Sequence, residues 1–126
     1  MPLVRISLRR GKAPDHIAAI RDAVYQAMTE VFAVPAKDRF ILVHQHDQDE
    51  FDYDPNYLDI QRTDELVIIQ ITANNTRTVE QKKAFYARLC ELLTERPGLR
   101  PEDVFINLVE VAKENWSFGH GIGQYI

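Results

Sequence analysis

The sequence predicts a two-layer α+β fold: duplicated β-α-β units that join into one four-stranded mixed sheet, with two helices on one face. Three observations predict it. The apolar period switches from two to about 3.6 and back, twice along the chain. Proline and glycine punctuate those switches, at Pro14, Pro35 and Pro97-Gly98. A single offset of 65 residues carries the first strand, helix and strand onto the second.

Leu3 to Leu8 alternates, so Val4, Ile6 and Leu8 share one face of a strand. Pro14 suits the first turn of a helix, where its missing N–H costs nothing. Ile17, Ile20, Val24, Met28 and Val31 then form one helical stripe, and Pro35 marks its stop. Phe40 to Gln45 is the second strand. Leu66 to Thr72 is a β-rich run and the third strand. Thr78 and Gln81 make a capping-box pattern that opens the second helix, whose stripe is Phe85, Leu89, Leu92 and Leu93. Pro97-Gly98 ends it, and Val104 to Val111 is the fourth strand.

Under the offset, Val4 falls on Ile69, Ile6 on Ile71, Ile20 on Phe85, Val24 on Leu89 and Met28 on Leu93. Asp38-Arg39-Phe40-Ile41 falls on Asp103-Val104-Phe105-Ile106. The expected organisation is one domain over 1–126, with a pseudo-repeat of 2–46 and 66–111 and a C-terminal arm, 112–126. Each β-α-β unit should hold parallel strands with a right-handed crossover. The sheet face away from the helices, including Leu3, Arg5, Ile68 and Gln70, lacks cover within the chain, which predicts a homo-oligomer. The connection 47–64 is polar and follows no period. The tail, with Trp116, Phe118 and Tyr125 among Gly119, Gly121 and Gly123, reads as an ordered arm.

Composition excludes several classes. With 126 residues, 45% apolar and 27% charged, the chain is a globular domain rather than a disordered or collagen-like one. One cysteine, Cys90, cannot form an internal disulfide, which suits a reducing, cytoplasmic setting. No apolar run is long enough to span a membrane, and Met1-Pro2-Leu3-Val4-Arg5 lacks a signal-peptide layout. The net charge is −4; six of the 19 acids lie within 47–59, where there is no Lys or Arg. The remainder carries 15 bases against 13 acids, near balance and without the basic stripe a nucleic acid would need.

Few residues can carry chemistry. Pro2 follows an initiator Met of the kind that cells commonly remove, which would leave a free prolyl amine. An α-amine titrates at about 7.7–8.0, within reach of neutral pH, and its surroundings move it either way. A chance Met-Pro start is the plain alternative. Asp38 sits just before the second strand, where an Asp is either a turn residue or a site residue. Arg77 lies beside the second helix's N-terminus, where guanidinium and backbone amides both suit a carboxylate; the plain alternative is a solvated loop arginine. His44 and His46 alternate on strand two, an H-x-H pattern that can bind metal, but no third ligand is set by spacing. Asp47 to Asp54 lacks the glycine and twelfth-position Glu of a calcium loop. Gly119 to Gly123 precedes no helix and so is no phosphate loop. Cys90, Trp116 and Phe118 read from spacing as packing residues.

Together these residues resemble the tautomerase superfamily, and within it the malonate semialdehyde decarboxylase branch. The resemblance spans the chain and rests on Pro2 after Met1, Pro35-Ala36-x-Asp38-Arg39, Gln45-His46, Arg77 with Glu80-Gln81-Lys82 and Phe85-Tyr86, and Trp116-Ser117-Phe118-Gly119-x-Gly121. It implies a homotrimer of β-α-β units with Pro2 at the base of a small pocket, acting on small oxo-acids without metal or organic cofactor. In the decarboxylase branch the proline acts with an aspartate and an R-x-R pair. Pro2, Asp38 and Arg77 match, while Asn75 stands in place of the first arginine and offers neutral hydrogen bonds instead of a charged fork. Trp116 and Phe118 become plausible pocket walls. The expected function is keto–enol tautomerisation of a small oxo-acid by proline-based proton transfer. Decarboxylation or hydration of a 3-oxo acid such as malonate semialdehyde is the alternative mechanism, and a non-catalytic small-acid-binding oligomer is the alternative of another class.

Overall fold

Alternation in the first strand decides how the rest assembles. In a computed structural model describing residues 1–126, β1 (Leu3–Arg9) buries Val4, Ile6 and Leu8 and turns Leu3, Arg5 and Ser7 to the opposite face. It is followed by α1 (Pro14–Phe32), β2 (Ile41–His46), β3 (Val67–Asn74), α2 (Val79–Glu95) and β4 (Val104–Val111). The strand order is β2-β1-β3-β4. β1 runs parallel to β2 and β3 parallel to β4, while the central pair, β1 and β3, is antiparallel. The sheet is therefore mixed, as expected.

The 65-residue offset holds in the register. Val4 pairs with Ile41 and Ile69 with Ile106; Arg9 pairs with His46 and Asn74 with Val111. In the central ladder Arg5 faces Gln70, the one pair in which a residue meets its own counterpart. Both helices cover one face. Ile20, Val24 and Met28 of α1 and Phe85, Leu89 and Leu93 of α2 close over Val4, Ile6, Ile69 and Ile71, all at most 1% exposed. Phe32 and Phe85 stack at 4.4 Å between ring centroids. Truncating such a core aromatic to alanine costs about 3–5 kcal/mol.

The helix ends show why the boundaries fall where they do. Thr78 caps α2 with the reciprocal Thr78–Gln81 hydrogen bonds, while Ala13 at the head of α1 offers no side-chain cap and Pro14 follows it. α1 stops at Phe32, before Pro35, because Ala33 turns left-handed at φ 54° and lets Val34 N–H return to the Met28 carbonyl. α2 stops at Glu95. Gly98, the counterpart of Ala33, is left-handed at φ 96°, and Leu99 N–H returns to the Leu93 carbonyl. β1 extends one residue past Leu8, β2 runs from Ile41 rather than Phe40, and β3 from Val67 to Asn74, since ladder hydrogen bonds rather than side-chain alternation set strand ends.

The 47–64 connection holds two short 3-10 turns, Gln48–Glu50 and Tyr57–Asp59. Asp47 and Glu50 cap the first, Arg62 donates to the Tyr57 and Ile60 carbonyls, and Phe51 is buried. The tail is ordered by its aromatics and by Gln124, which accepts from Phe118 N–H and donates to the Gly119 carbonyl. No helix is long and apolar enough to cross a membrane. Across the uncovered sheet face, Arg5, Ser7, His44, Ile68, Gln70, Phe105 and Asn107 line a depression of about 420 Å³.

Candidate active site

Three chain segments converge at one end of the central ladder. The last paired residues of β1 and β3 there are Leu3 and Thr72, so continuing the register brings the chain's first residue toward Asn74. Asp38 reaches the same place from the turn between α1 and β2, where its N–H donates to the Pro35 carbonyl. That turn is pinned from outside: Arg39 pairs with Asp22 at 2.9 Å and lies over the Tyr25 ring, and the Tyr25 hydroxyl donates to the Ala36 carbonyl. Arg77 comes from the link between β3 and α2. Its guanidinium lies 5.0 Å from the centre of the Phe32 ring, and Nη2 donates to the Phe32 carbonyl at 3.1 Å. One edge of that fork is thus anchored.

The terminal amine, on Met1, lies 3.9 Å from Asp38 Oδ2. The Met1 and Asp38 side chains are only 9% and 14% exposed, and Asp38 Oδ1 is buried without a hydrogen-bond partner. Burial pulls the amine below an ordinary α-amine; Asp38 opposes that shift, and Arg77 and Lys113 reinforce it. Burial pushes the Asp38 carboxyl up, against the pull of the amine and Arg77. Burial also lowers Arg77, against Asp38 and Glu110. A buried carboxylate with a free oxygen is costly, of the order of 1–3 kcal/mol for the unmade hydrogen bond. Groups kept at such a cost mark candidate sites. The arrangement offers an amine biased toward its neutral form, a carboxylate with capacity to spare, and a cation for an anionic ligand. Pro2 itself is buried, and behind Met1 its nitrogen is an amide without basicity.

Asn74, at the same end of β3, ties that ladder end to the tail. Asn74 is 7% exposed, and its Oδ1 accepts from Trp116 Nε1 at 2.7 Å. Trp116 stacks on Phe118 at 5.4 Å and 15°, and Tyr125 meets Phe118 edge-on at 5.1 Å. Asn75 is exposed in the turn beyond β3, its N–H donating to the Val111 carbonyl. Sequence reasoning named Asn75 and missed Asn74, because a polar residue at a strand end reads as turn. The one signal for it was the chain's single tryptophan, whose indole N–H needs an acceptor once covered. Lys113, Glu110 and Lys82, whose Nζ lies 2.8 Å from Glu110, were also not anticipated at this end.

Other candidates lie elsewhere. His44 Nε2 is 3.2 Å from Arg5, and the His46 ring packs 5.7 Å from Phe51. No group of three or more His, Cys, Asp or Glu side chains converges as metal ligands would. A depression of about 600 Å³ is lined by Arg9, Gln48, Asp49, Phe51, Asp52 and Tyr53, and holds neither the amine nor Asp38 nor Arg77. Chemistry, rather than size, selects the site.

Comparison with known proteins identifies the family of the chain. A family model described as tautomerase enzyme matches residues 38–119. The probable tautomerase YusQ of Bacillus subtilis (strain 168) is 42% identical over 126 residues, spanning 100% of this chain and 99% of that protein. The malonate semialdehyde decarboxylase FG41, solved with the inhibitor 3-bromopropiolate, is 38% identical with a TM-score of 0.90, over 98% of this chain and 93% of that one. A second malonate semialdehyde decarboxylase, described as having decarboxylase and hydratase activities, is 33% identical with a TM-score of 0.91, over 98% and 95%.

Proposed function

The chain belongs to the family of tautomerase enzymes, and on that premise we propose that it interconverts the keto and enol forms of a small oxo-acid, with Pro2 as the proton carrier. Removal of Met1 leaves Pro2 as a secondary amine facing Asp38. The carrying observation is the terminal amine itself, half enclosed, 3.9 Å from Asp38 and in the field of Arg77. Burial outweighs Asp38 there, and the same forces acting on the prolyl nitrogen favour a neutral base.

The neutral amine takes the enol hydroxyl proton as the O–H pair forms the carbonyl, and the C=C pair takes that proton back at carbon. Arg77 holds the substrate carboxylate with its unanchored N–H groups. Trp116 and Phe118 give the apolar wall, and Asn75, exposed in the turn before Arg77, offers the substrate a neutral amide. No metal or organic cofactor is needed for this transfer, and a cytoplasmic setting belongs to the same reading. The open sheet face, with Leu42 46% and Phe105 42% exposed, supports assembly into a homotrimer.

A second mechanism has an observation of its own. The buried, unpartnered Oδ1 of Asp38 favours a charged neighbour or an oriented water. A cationic Pro2 would polarise the carbonyl of a 3-oxo acid; the C–C bond to the carboxylate then breaks, its pair forming the enol as carbon dioxide leaves. Intact-mass analysis establishes whether Met1 is removed. Ketonisation of phenylenolpyruvate and decarboxylation of malonate semialdehyde are then assayed on the parent and Pro2→Ala. Loss of ketonisation in a folded Pro2→Ala supports the reading. Loss of decarboxylation alone favours the second mechanism. Equal turnover in both proteins sinks the proline role and leaves a binding oligomer.

A further inference from the structure

We propose that Asn74 is a positioning residue for the site: its amide oxygen sets the plane of the Trp116 ring, and through it the apolar wall facing the amine. Asn74 breaks the pattern of its own strand. Val67, Ile69, Ile71 and Ala73 point into the core, so Asn74 belongs to the opposite face, yet it is 7% exposed. It is one of only two buried polar residues in the chain, and its burial comes from the tail folding over it. The single hydrogen bond from Trp116 Nε1 to Asn74 Oδ1, at 2.7 Å, ties that tail to the ladder end where the amine and Asp38 meet. The Trp116–Phe118 stack and the Phe118–Tyr125 edge contact then transmit the indole's plane along the arm.

The counterpart of this arrangement shows what the hydrogen bond adds. Under the 65-residue offset, Asn74 corresponds to Arg9, and Trp116 and Phe118 to Phe51 and Tyr53. There the cation lies over the Tyr53 ring at 5.8 Å and pairs with Asp64, while Phe51 and Tyr53 meet at 66° rather than stacking. A phenylalanine has no N–H to receive direction from a neighbour. Only the Asn74 half combines a directed donor–acceptor pair with a flat stacked wall.

The inference rests on the reading of Trp116 as a wall of the site, and its test separates the two. Because Trp116 is the only tryptophan, its fluorescence reports the ring directly. Asn74→Leu keeps the branched side-chain skeleton and removes the acceptor. Its tryptophan emission should shift to the red and become more open to acrylamide quenching. KM for phenylenolpyruvate should rise about three- to tenfold, the equilibrium effect of one ordinary net hydrogen bond, with the pH profile in place. Asn74→Asp, which keeps an accepting oxygen, should restore the parent emission, and it carries the test if Asn74→Leu fails to fold. Unchanged emission and quenching in a folded Asn74→Leu overturn the proposal. So does altered emission with unchanged KM while Pro2→Ala has lost turnover, since the site is then real and the wall irrelevant to it. Full turnover in Pro2→Ala instead overturns the proline reading itself, whatever Asn74 does.

Discussion

Asp38 and Asp103 hold the same place in the two halves, just ahead of β2 and β4, and meet opposite surroundings. Asp103 is 0% exposed, and both its oxygens accept at 2.7 Å, Oδ1 from Thr63 N–H and Oδ2 from the Thr63 hydroxyl, with Arg100 at 3.5 Å. It ties the acidic connection to the start of β4. Asp38 keeps one oxygen orphaned and faces an amine at 3.9 Å. The position occupied by Val67 in one half is Pro2, next to a chain end, in the other. Lys12, the counterpart of Arg77, is closed off by Glu65 at 2.7 Å. At each matched pair the satisfied member serves the fold, while the member with capacity to spare lies at the candidate site.

Exchanging the roles of the two aspartates is the strongest way to break this comparison. Asp38→Asn should lower decarboxylation of malonate semialdehyde by about 10²-fold or more, because that mechanism relies on the carboxylate to favour a cationic amine, while ketonisation of phenylenolpyruvate by the neutral amine persists. It should also raise thermal stability at pH 7, by about 1 kcal/mol. The pH dependence follows from burial, which raises the folded-state pKa of Asp38 above its unfolded value. The folded state then favours the protonated acid, so that contribution is present below about pH 4 and is lost as pH rises through the folded value. The stability gain of Asp38→Asn should therefore vanish in acid melts. Without the Asp38 charge the terminal amine should titrate lower still, visible as a shift of its ¹⁵N resonance midpoint.

Asp103→Asn should do the reverse. It loses about 2 kcal/mol in urea unfolding, as one charge-assisted acceptor leaves a buried site, while kcat stays near the parent value. The cation pair sharpens the contrast at smaller cost. Arg77→Gln should cut kcat/KM about 10- to 100-fold, chiefly through KM, if it holds the substrate carboxylate. Lys12→Gln, losing a half-exposed surface pair, should change stability by under about 1 kcal/mol and turnover not at all. The smallest effect concerns the helix exits. Ala33→Gly removes a left-handed strain that Gly98 already avoids, and should gain about 0.5–1 kcal/mol in thermal melts.

Much of the architecture was legible because it obeys periods. Every member of the α2 stripe, Phe85, Leu89, Leu92 and Leu93, is buried, and the offset that aligned the halves in sequence also aligns their strand registers. The 47–64 connection was unreadable because side-chain hydrogen bonds hold it, such as Tyr53 to Asp64 and Asp54 to Asn56 N–H, and these follow no repeat. At the site, Asp38 and Arg77 were visible as charged residues at element ends; Asp38 lies 3.9 Å from the terminal amine, and Arg77 acts on both through its charge. Asn74 was not, since its burial comes from an arm 42 residues away in the chain. Proline at the end of α1 was read as the stop, but a left-handed alanine ends the helix first.

The antiparallel ladder at the centre of the sheet carries a kinetic consequence. Each parallel pair joins strands linked by a single helix, whereas the β1–β3 pairs bridge more than sixty residues. Loop-closure entropy therefore weighs most on the middle of the sheet, and such non-local pairing is the slow part of assembly. The amine and Asp38 belong to the first half, and Arg77, Asn74 and Trp116 to the second. Assembly of the candidate site thus waits on the least local contacts of the fold.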